Sequence, residues 1–202
     1  MDGLLIRLLT DHGFTRTHEP RSAGQTLVVH AVAGAGKSTL LRRALREFPG
    51  LHVCTTGLPD TPTLTLDHIQ GQSPPRPGKF NILDEYPARA SWPEEDWQML
   101  IADNLQHSGP AAKPHYVCSV TRRFGLESIA FLQKLGFSIS PHPSLDDSDK
   151  GFSSSPLWDA PLFGQVISLD KRANDLLEAH HVPYLCALQS RGLEFSTVTV
   201  VS

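Results

Sequence analysis

The chain has 202 residues, 40% of them hydrophobic and 19% charged, which is ordinary for a globular protein and excludes collagenous, disordered and low-complexity classes. Its formal net charge of −3 excludes a global basic field that would draw it to nucleic acid. Charge is uneven, however: residues 1–50 carry seven Lys/Arg against four Asp/Glu, so a surface for a polyanion is expected in that part. Cys54, Cys118 and Cys186 are odd in number, widely spaced and set in apolar runs, the pattern of reduced core residues, and no pair has metal-ligand spacing. Asp2, Arg7 and Asp11 interrupt the first apolar run, so no signal peptide is expected. No stretch approaches transmembrane length, and a soluble protein is expected.

In chain order, Leu4, Leu5, Leu8 and Leu9 recur at helical spacing and predict an amphipathic helix over 3–12, ended near Gly13. Residues 26–30 are apolar and β-branched and predict a buried strand; residues 40–48 are good helix formers. Between them lies Ala31-Val32-Ala33-Gly34-Ala35-Gly36-Lys37-Ser38-Thr39. A strand, a loop of small residues ending Gly-Lys-Ser and a helix form the layout of a phosphate-binding P-loop. Small residues let successive N–H groups point inward, and the helix N-terminus adds its positive end. Gly34, Ala35, Gly36, Lys37, Ser38 and Thr39 are therefore the expected nucleotide contacts, with Lys37 on the β- and γ-phosphates and the Ser38 hydroxyl on Mg²⁺. The strict pattern wants glycine at position 31, where this chain has Ala31.

A second strand is predicted over 51–56, stopped by Gly57-Leu58-Pro59-Asp60, and a Pro- and Gly-rich loop over 70–79. Residues 80–85 predict a strand ending in Asp84-Glu85, and Pro93-Glu94-Glu95-Asp96 opens a helix. A strand over 116–120 and a helix over 126–135 follow. This β-α-β-β-α-β-α alternation predicts a mostly parallel sheet covered by helices. Residues 140–161, with their prolines, acids and a triple serine, read as a linker or surface excursion. Beyond them strands are predicted over 165–169, 184–188 and 195–201, with a helix over 172–180. The expected organisation is a P-loop NTPase domain over 1–139, the linker over 140–161, and a short partial second domain over 162–202.

Asp84 and Glu85 at a strand end, downstream of a P-loop, suit Mg²⁺ held partly through water and a carboxylate that orients or deprotonates the attacking water. The ten histidines show no ligand pairing and read as surface residues; Trp92, Trp97 and Trp158 read as core or edge packing. Arg42, Arg43 and Arg46 form a basic helix face, either solvated or turned to RNA phosphates.

The ordered set of motifs is more specific than any one of them. The P-loop, Asp84-Glu85-Tyr86, Ala102-Asp103-Asn104-Leu105-Gln106, Arg122 and Gly192-Leu193-Glu194-Phe195 follow the motif order of superfamily 1 RNA helicases of positive-strand RNA viruses. With Gly13-Phe14-Thr15-Arg16-Thr17 and Gly57-Leu58-Pro59-Asp60, the chain resembles the triple gene block movement proteins of potex-like plant viruses over nearly its whole length. The resemblance implies a RecA-like α/β fold with a short, incomplete second RecA-like lobe. It also implies that Gln106 senses the γ-phosphate, that Arg122 stabilises its developing charge, and that Pro59, Asp60, Gly192 and Glu194 couple the nucleotide cleft to RNA.

The same resemblance implies ATP or another NTP and Mg²⁺ as ligands, viral RNA, other movement proteins and coat protein as partners, and self-association. It places the protein in the host cytoplasm, at plasmodesmata or in membrane-associated inclusions reached through partners. The implied function is an RNA-dependent NTPase supporting cell-to-cell movement and suppression of host RNA silencing. Relatives carry a sixth motif after the fifth, whereas this sequence closes at Ser202; nucleotide binding is expected more strongly than unwinding. Two other readings stay open: an ATP-binding RNA chaperone or movement scaffold with little turnover, and a small P-loop kinase.

Overall fold

The computed structural model describes residues 2–65, 67–89, 97–107, 109–145, 151–191 and 193–202. The helix expected to open at Pro93, Trp92, and Gly192 of the fifth motif lie outside the described residues. The chain forms two compact units, residues 1–152 and 153–202.

The first unit opens with α1 (Asp2–Asp11), whose Leu5, Leu8 and Leu9 are buried at helical spacing. A two-residue strand β1 (Thr15–Arg16) follows, then β2 (Leu27–Ala31), α2 (Lys37–Glu47), β3 (Leu51–Thr55), β4 (Phe80–Asp84), β5 (Met99–Ala102) and β6 (Tyr116–Cys118). These strands make one sheet in the order β1-β6-β2-β5-β4-β3, parallel throughout except for antiparallel β1 at the edge. The chain then adds β7 (Val120–Thr121), α3 (Leu126–Lys134) and β8 (Ser140–Pro141), the two strands pairing in parallel as a separate short ladder.

Alternation along the strands loads both faces of the sheet. Leu27, Val29, Val53, Ile82, Met99 and Ile101 join α1 and α2 in one core, with Leu40, Leu41 and Ala44 supplying the helical stripe. Val28, Cys54, Leu83, Leu100 and Ala102 face the other way, against Tyr86 and Trp97. The exposed ladder of β3 is closed by the loop after it: Gln70 N donates to Val53 O (2.9 Å) and its carbonyl accepts from Thr55 N (2.9 Å).

The unexpected strand is β5. Its four residues Met-Leu-Ile-Ala contain one β-branched side chain and follow a segment that reads as a helix start, so local propensity hides it. All four are buried, because β5 sits between β2 and β4 in the middle of the sheet. The surface reading is overturned for four of the ten histidines. His30, His52, His68 and His115 are buried, each because its strand or loop faces the core. Trp97 is core, whereas Trp158 is exposed. Cys54 and Cys118 are buried as expected; Cys186 is half-buried.

The second unit holds β9 (Gln165–Ser168), α4 (Lys171–Ala179), β10 (Leu185–Cys186) and β11 (Val198–Val201). They form a three-stranded parallel sheet in the order β10-β9-β11. Asp170 caps α4, its carboxylate accepting from Ala173 N (2.9 Å), and Ala173 and Leu177 pack with Val166 and Val201.

Candidate nucleotide site

β2 carries the chain to Ala31, which still pairs in register with Cys118. Residue 31 is therefore a strand residue, and the alanine in the place of the motif's first glycine meets no demand for a left-handed backbone. That demand falls on Gly34 (φ 76°) and Gly36 (φ 90°). A Cβ on Gly34 would stand 2.5 Å from Arg123 Cβ and 2.6 Å from Thr121 Oγ1, so the loop is closed to any side chain there.

The segment after β6 clasps this loop by its carbonyls. Thr121 Oγ1 donates to Ala33 O (2.8 Å), Arg122 N to Gly34 O (3.0 Å) and Arg122 Nη1 to Ala35 O (3.4 Å). Three successive carbonyls are turned toward residues 121–122, which suits a loop that offers amides on its other side. Gly36 is the N-cap of α2 and supplies no side-chain cap, leaving the first-turn N–H groups to an anion. Lys37 is buried to 9% exposure and its Nζ donates to Ala31 O (3.2 Å). Ser38 is half-buried and Thr39 exposed in the same turn.

Asp84, at the end of β4, is 6% exposed. Thr55 Oγ1 donates weakly to its Oδ2 (3.4 Å), while its Oδ1 is buried with no hydrogen-bond partner among the described residues. Burial pushes its carboxyl up to about 7; Glu85 adds to the rise and the Lys37 charge opposes it. Asp103, at the end of β5, is buried too and raised for the same reason, again opposed by Lys37. It caps a 3₁₀ turn over Asn104–Gln106, accepting from Leu105 N (3.1 Å) and from Gln106 Nε2 (3.0 Å). Lys37 thus answers two buried carboxyls on neighbouring strand ends.

Glu85 follows Asp84 in a left-handed backbone (φ 56°), a strained conformation for a non-glycine residue. Its amide donates to Ile101 O (2.9 Å), its carbonyl accepts from Thr56 Oγ1 (2.6 Å), and its Oε2 is hydrogen-bonded to His107 Nε2. Behind it, Tyr86 OH joins His30 Nε2 (2.7 Å) and accepts from Ala112 N (3.0 Å). Burial holds the His30 imidazole down at about 4, so it meets the tyrosine hydroxyl as a neutral ring.

Lys37, Asp84, Glu85, Gln106 and Arg122 are therefore gathered around the C-terminal ends of β2, β4, β5 and β6, where an open parallel sheet binds its ligands. Pro59 and Asp60 lie in the loop after β3. Asp60 is tied to Arg42 of α2 (2.6 Å) and to Ile69 N (3.1 Å), beside a cavity of about 510 Å³ lined by Arg46, Thr61 and Thr65 among others. Glu194 is exposed and belongs to the second unit. Asp103, His107 and Thr121 were not singled out in the sequence; the available signal was a second apolar run ending in an acid, at 99–103, like that at 80–84.

The donor set fits Mg²⁺ and a nucleotide. Mg²⁺ takes oxygen ligands, and the bare, buried Asp84 Oδ1 and the Ser38 hydroxyl are of that kind.

The sequence profile of the viral superfamily 1 RNA helicase core domain matches residues 27–202. The chain belongs to this family. Among relatives of the helicase domain, the movement and silencing protein TGBp1 of foxtail mosaic virus is 44% identical over 202 residues, covering all of this chain and 85% of that protein. The protein of the same name from Potato virus X (strain HB) is 35% identical over 199 residues, covering 98% of this chain and 86% of that one. Among solved structures, an arterivirus nonstructural protein 10 helicase in complex with DNA aligns over 98% of this chain and 51% of its own, at 15% identity and a TM-score of 0.45. For this superfamily 1 domain, the mostly parallel α/β sheet carrying the P-loop is the RecA-like layout that the resemblance implies. No helix among the described residues is long and apolar enough to cross a membrane.

Proposed function

We propose that the chain is an Mg²⁺-dependent NTPase, stimulated by RNA, that serves cell-to-cell movement of a plant virus and suppression of host RNA silencing. The observation that carries the hydrolytic reading is the bare, buried Asp84 Oδ1 set in the field of Lys37 at the mouth of the P-loop. Bound Mg²⁺ would neutralise phosphate charge and polarise the bond to be broken.

The chain's own groups divide the remaining work. The loop amides and the α2 N-terminus bind the phosphates, Lys37 adds a point charge, and Ser38 and Asp84 hold the cation. Glu85 orients the attacking water and takes its proton, while Arg122 steadies the charge that develops on the γ-phosphoryl oxygens. Gln106 senses that phosphate, and Pro59, Asp60, Gly192 and Glu194 relay its state to RNA. An organised hydrolytic acid beside Gln106 favours water as the acceptor over the kinase reading.

The movement and silencing roles rest on relatives called movement and silencing proteins, which align with 98–100% of the chain at 35–44% identity. Viral RNA, other movement proteins and coat protein as partners, self-association, and action in the host cytoplasm and at plasmodesmata remain what the motif resemblance implies. The test is steady-state phosphate release with and without single-stranded RNA. RNA should raise the rate, and Lys37→Ala should abolish it; hydrolysis that survives this substitution overturns the assignment, and ATP bound without turnover favours the scaffold reading.

A further inference from the structure

We propose that His107 is the positioning residue for the hydrolytic carboxylate: its Nε2–H fixes Glu85 Oε2 and leaves Oε1 as the oxygen that receives the water proton. The proposal rests on the NTPase reading above and adds a residue to it. Three observations support it.

The first is contact and enclosure. His107 Nε2 is in hydrogen-bond contact with Glu85 Oε2, and the His107 side chain is only 5% exposed, against 20% for Glu85. A charge-assisted hydrogen bond is strong where water competes little. The second is the proton's location. His107 Nδ1 is buried with no hydrogen-bond partner among the described residues. A neutral imidazole has one N–H, and leaving that donor buried and unpaired costs more than leaving a lone pair. The proton therefore sits on Nε2 and is donated to Glu85.

The third is the need for such a hold. Glu85 has a strained left-handed backbone fixed through Ile101 and Thr56, but those bonds secure the main chain only. Glu85 Oε1 has no hydrogen bond from the protein among the described residues. Without His107, the side chain would be free to sample rotamers that take both oxygens away from the cleft. His107 also directly follows Gln106, whose amide is held by Asp103. The strut on Glu85 and the γ-phosphate sensor thus share one short turn after β5, so a shift of Gln106 moves the support of the carboxylate.

The experiment compares His107→Ala, His107→Gln and His107→Asn in the full chain, reading RNA-stimulated ATP hydrolysis together with ATP affinity. Loss of a hydrogen bond to a charged group is expected to lower kcat in His107→Ala by roughly 10- to 100-fold, with ATP affinity unchanged. Glutamine, whose Nε2 reaches as far as the imidazole Nε2, should restore most of the rate; asparagine, which is shorter, should not. In a Glu85→Gln background, His107→Ala should cost no more. Wild-type hydrolysis with kcat unchanged in His107→Ala overturns the proposal alone, as does equal kcat in the Gln and Asn variants, which also decides the matter if His107→Ala does not fold. Absence of hydrolysis in the wild-type chain overturns the NTPase reading and this proposal with it.

Discussion

Residues 1–152 and residues 153–202 both carry helices on largely parallel sheets, yet they bury their strands differently. In the first unit β2, β3 and β5 are buried at every position, and two separate apolar clusters fill the two faces of the sheet. In the second, β9 alternates buried and half-buried residues, β11 leaves Val198 and Val200 exposed, and the core is essentially Val166, Ala173, Leu177 and Val201. Doubly covered strands create strand ends where water is scarce. Only there can two carboxyls such as Asp84 and Asp103 be raised by burial and held against a lysine. Glu194, in the second unit, is exposed and has no such floor beneath it. The proposed phosphate chemistry accordingly falls in the first unit.

The sharpest way to break this contrast is Asp84→Asn. If the buried carboxylate is the functional centre, phosphate release should fall by about 100-fold or more, an effect of roughly 3 kcal/mol on the barrier. Because the ionised form is disfavoured by burial, the same variant should melt a few degrees higher without nucleotide, in line with a stability–activity trade-off. Unchanged turnover would remove the buried floor as an explanation.

Next in size is an acid response confined to the first unit. His30 is held at about 4 by burial, whereas an unfolded histidine titrates near 6.5. Protons then bind the unfolded chain more readily, so this contribution is complete above pH 6.5 and is lost as pH falls toward 4, by about 3 kcal/mol in total. His52 and His115 are lowered by burial as well and act in the same direction. Asp84 and Asp103, raised by burial, act in the opposite direction over the same range, so the His30 contribution is read as a difference. Between pH 7 and pH 4, urea unfolding of His30→Gln, which keeps a hydrogen-bonding group for Tyr86, should shift against that of the wild-type chain by that amount.

A smaller effect probes the other side of the comparison. Leu177→Ala removes the largest fully enclosed side chain of the second core and should cost about 2 kcal/mol, opening residues 153–202 to limited proteolysis. ATP affinity should not move; if it falls with proteolytic resistance, the two units are not separable in function. The smallest effect expected is at the clasp. Thr121→Val should weaken ATP binding by roughly fivefold, about 1 kcal/mol, through the freed Ala33 carbonyl, and Thr121→Ser should restore it.

Much of this contrast was legible in the residues. The runs at 26–30, 51–56 and 80–85 read as strands because apolar residues recur in each, and Gly-Lys-Ser pointed to one end of the sheet as the expected phosphate end. β5 was not legible, since Met99–Ala102 gains its identity from the strands on either side and not from its own propensities. Asp103, named only as part of its motif, was given no role of its own, and His107 went unseen, as both depend on where β5 ends. The buried histidines were missed because polarity alone cannot reveal a partner elsewhere in sequence, as Tyr86 is for His30 and Asn81 for His52. The second unit was legible in its elements, but its thin core is a matter of how few side chains meet.

The clasp around the P-loop also settles which substitutions the nucleotide motif can absorb. Position 31 lies in the ladder of β2, where alanine is as acceptable as glycine, so Ala31→Gly should leave binding intact. Position 34 has no such latitude, because the next methyl group would have to displace both Arg123 and Thr121. A lineage of this chain can drift at the entrance to the loop but not at its crest, where one extra carbon would dislodge the arm that carries Arg122.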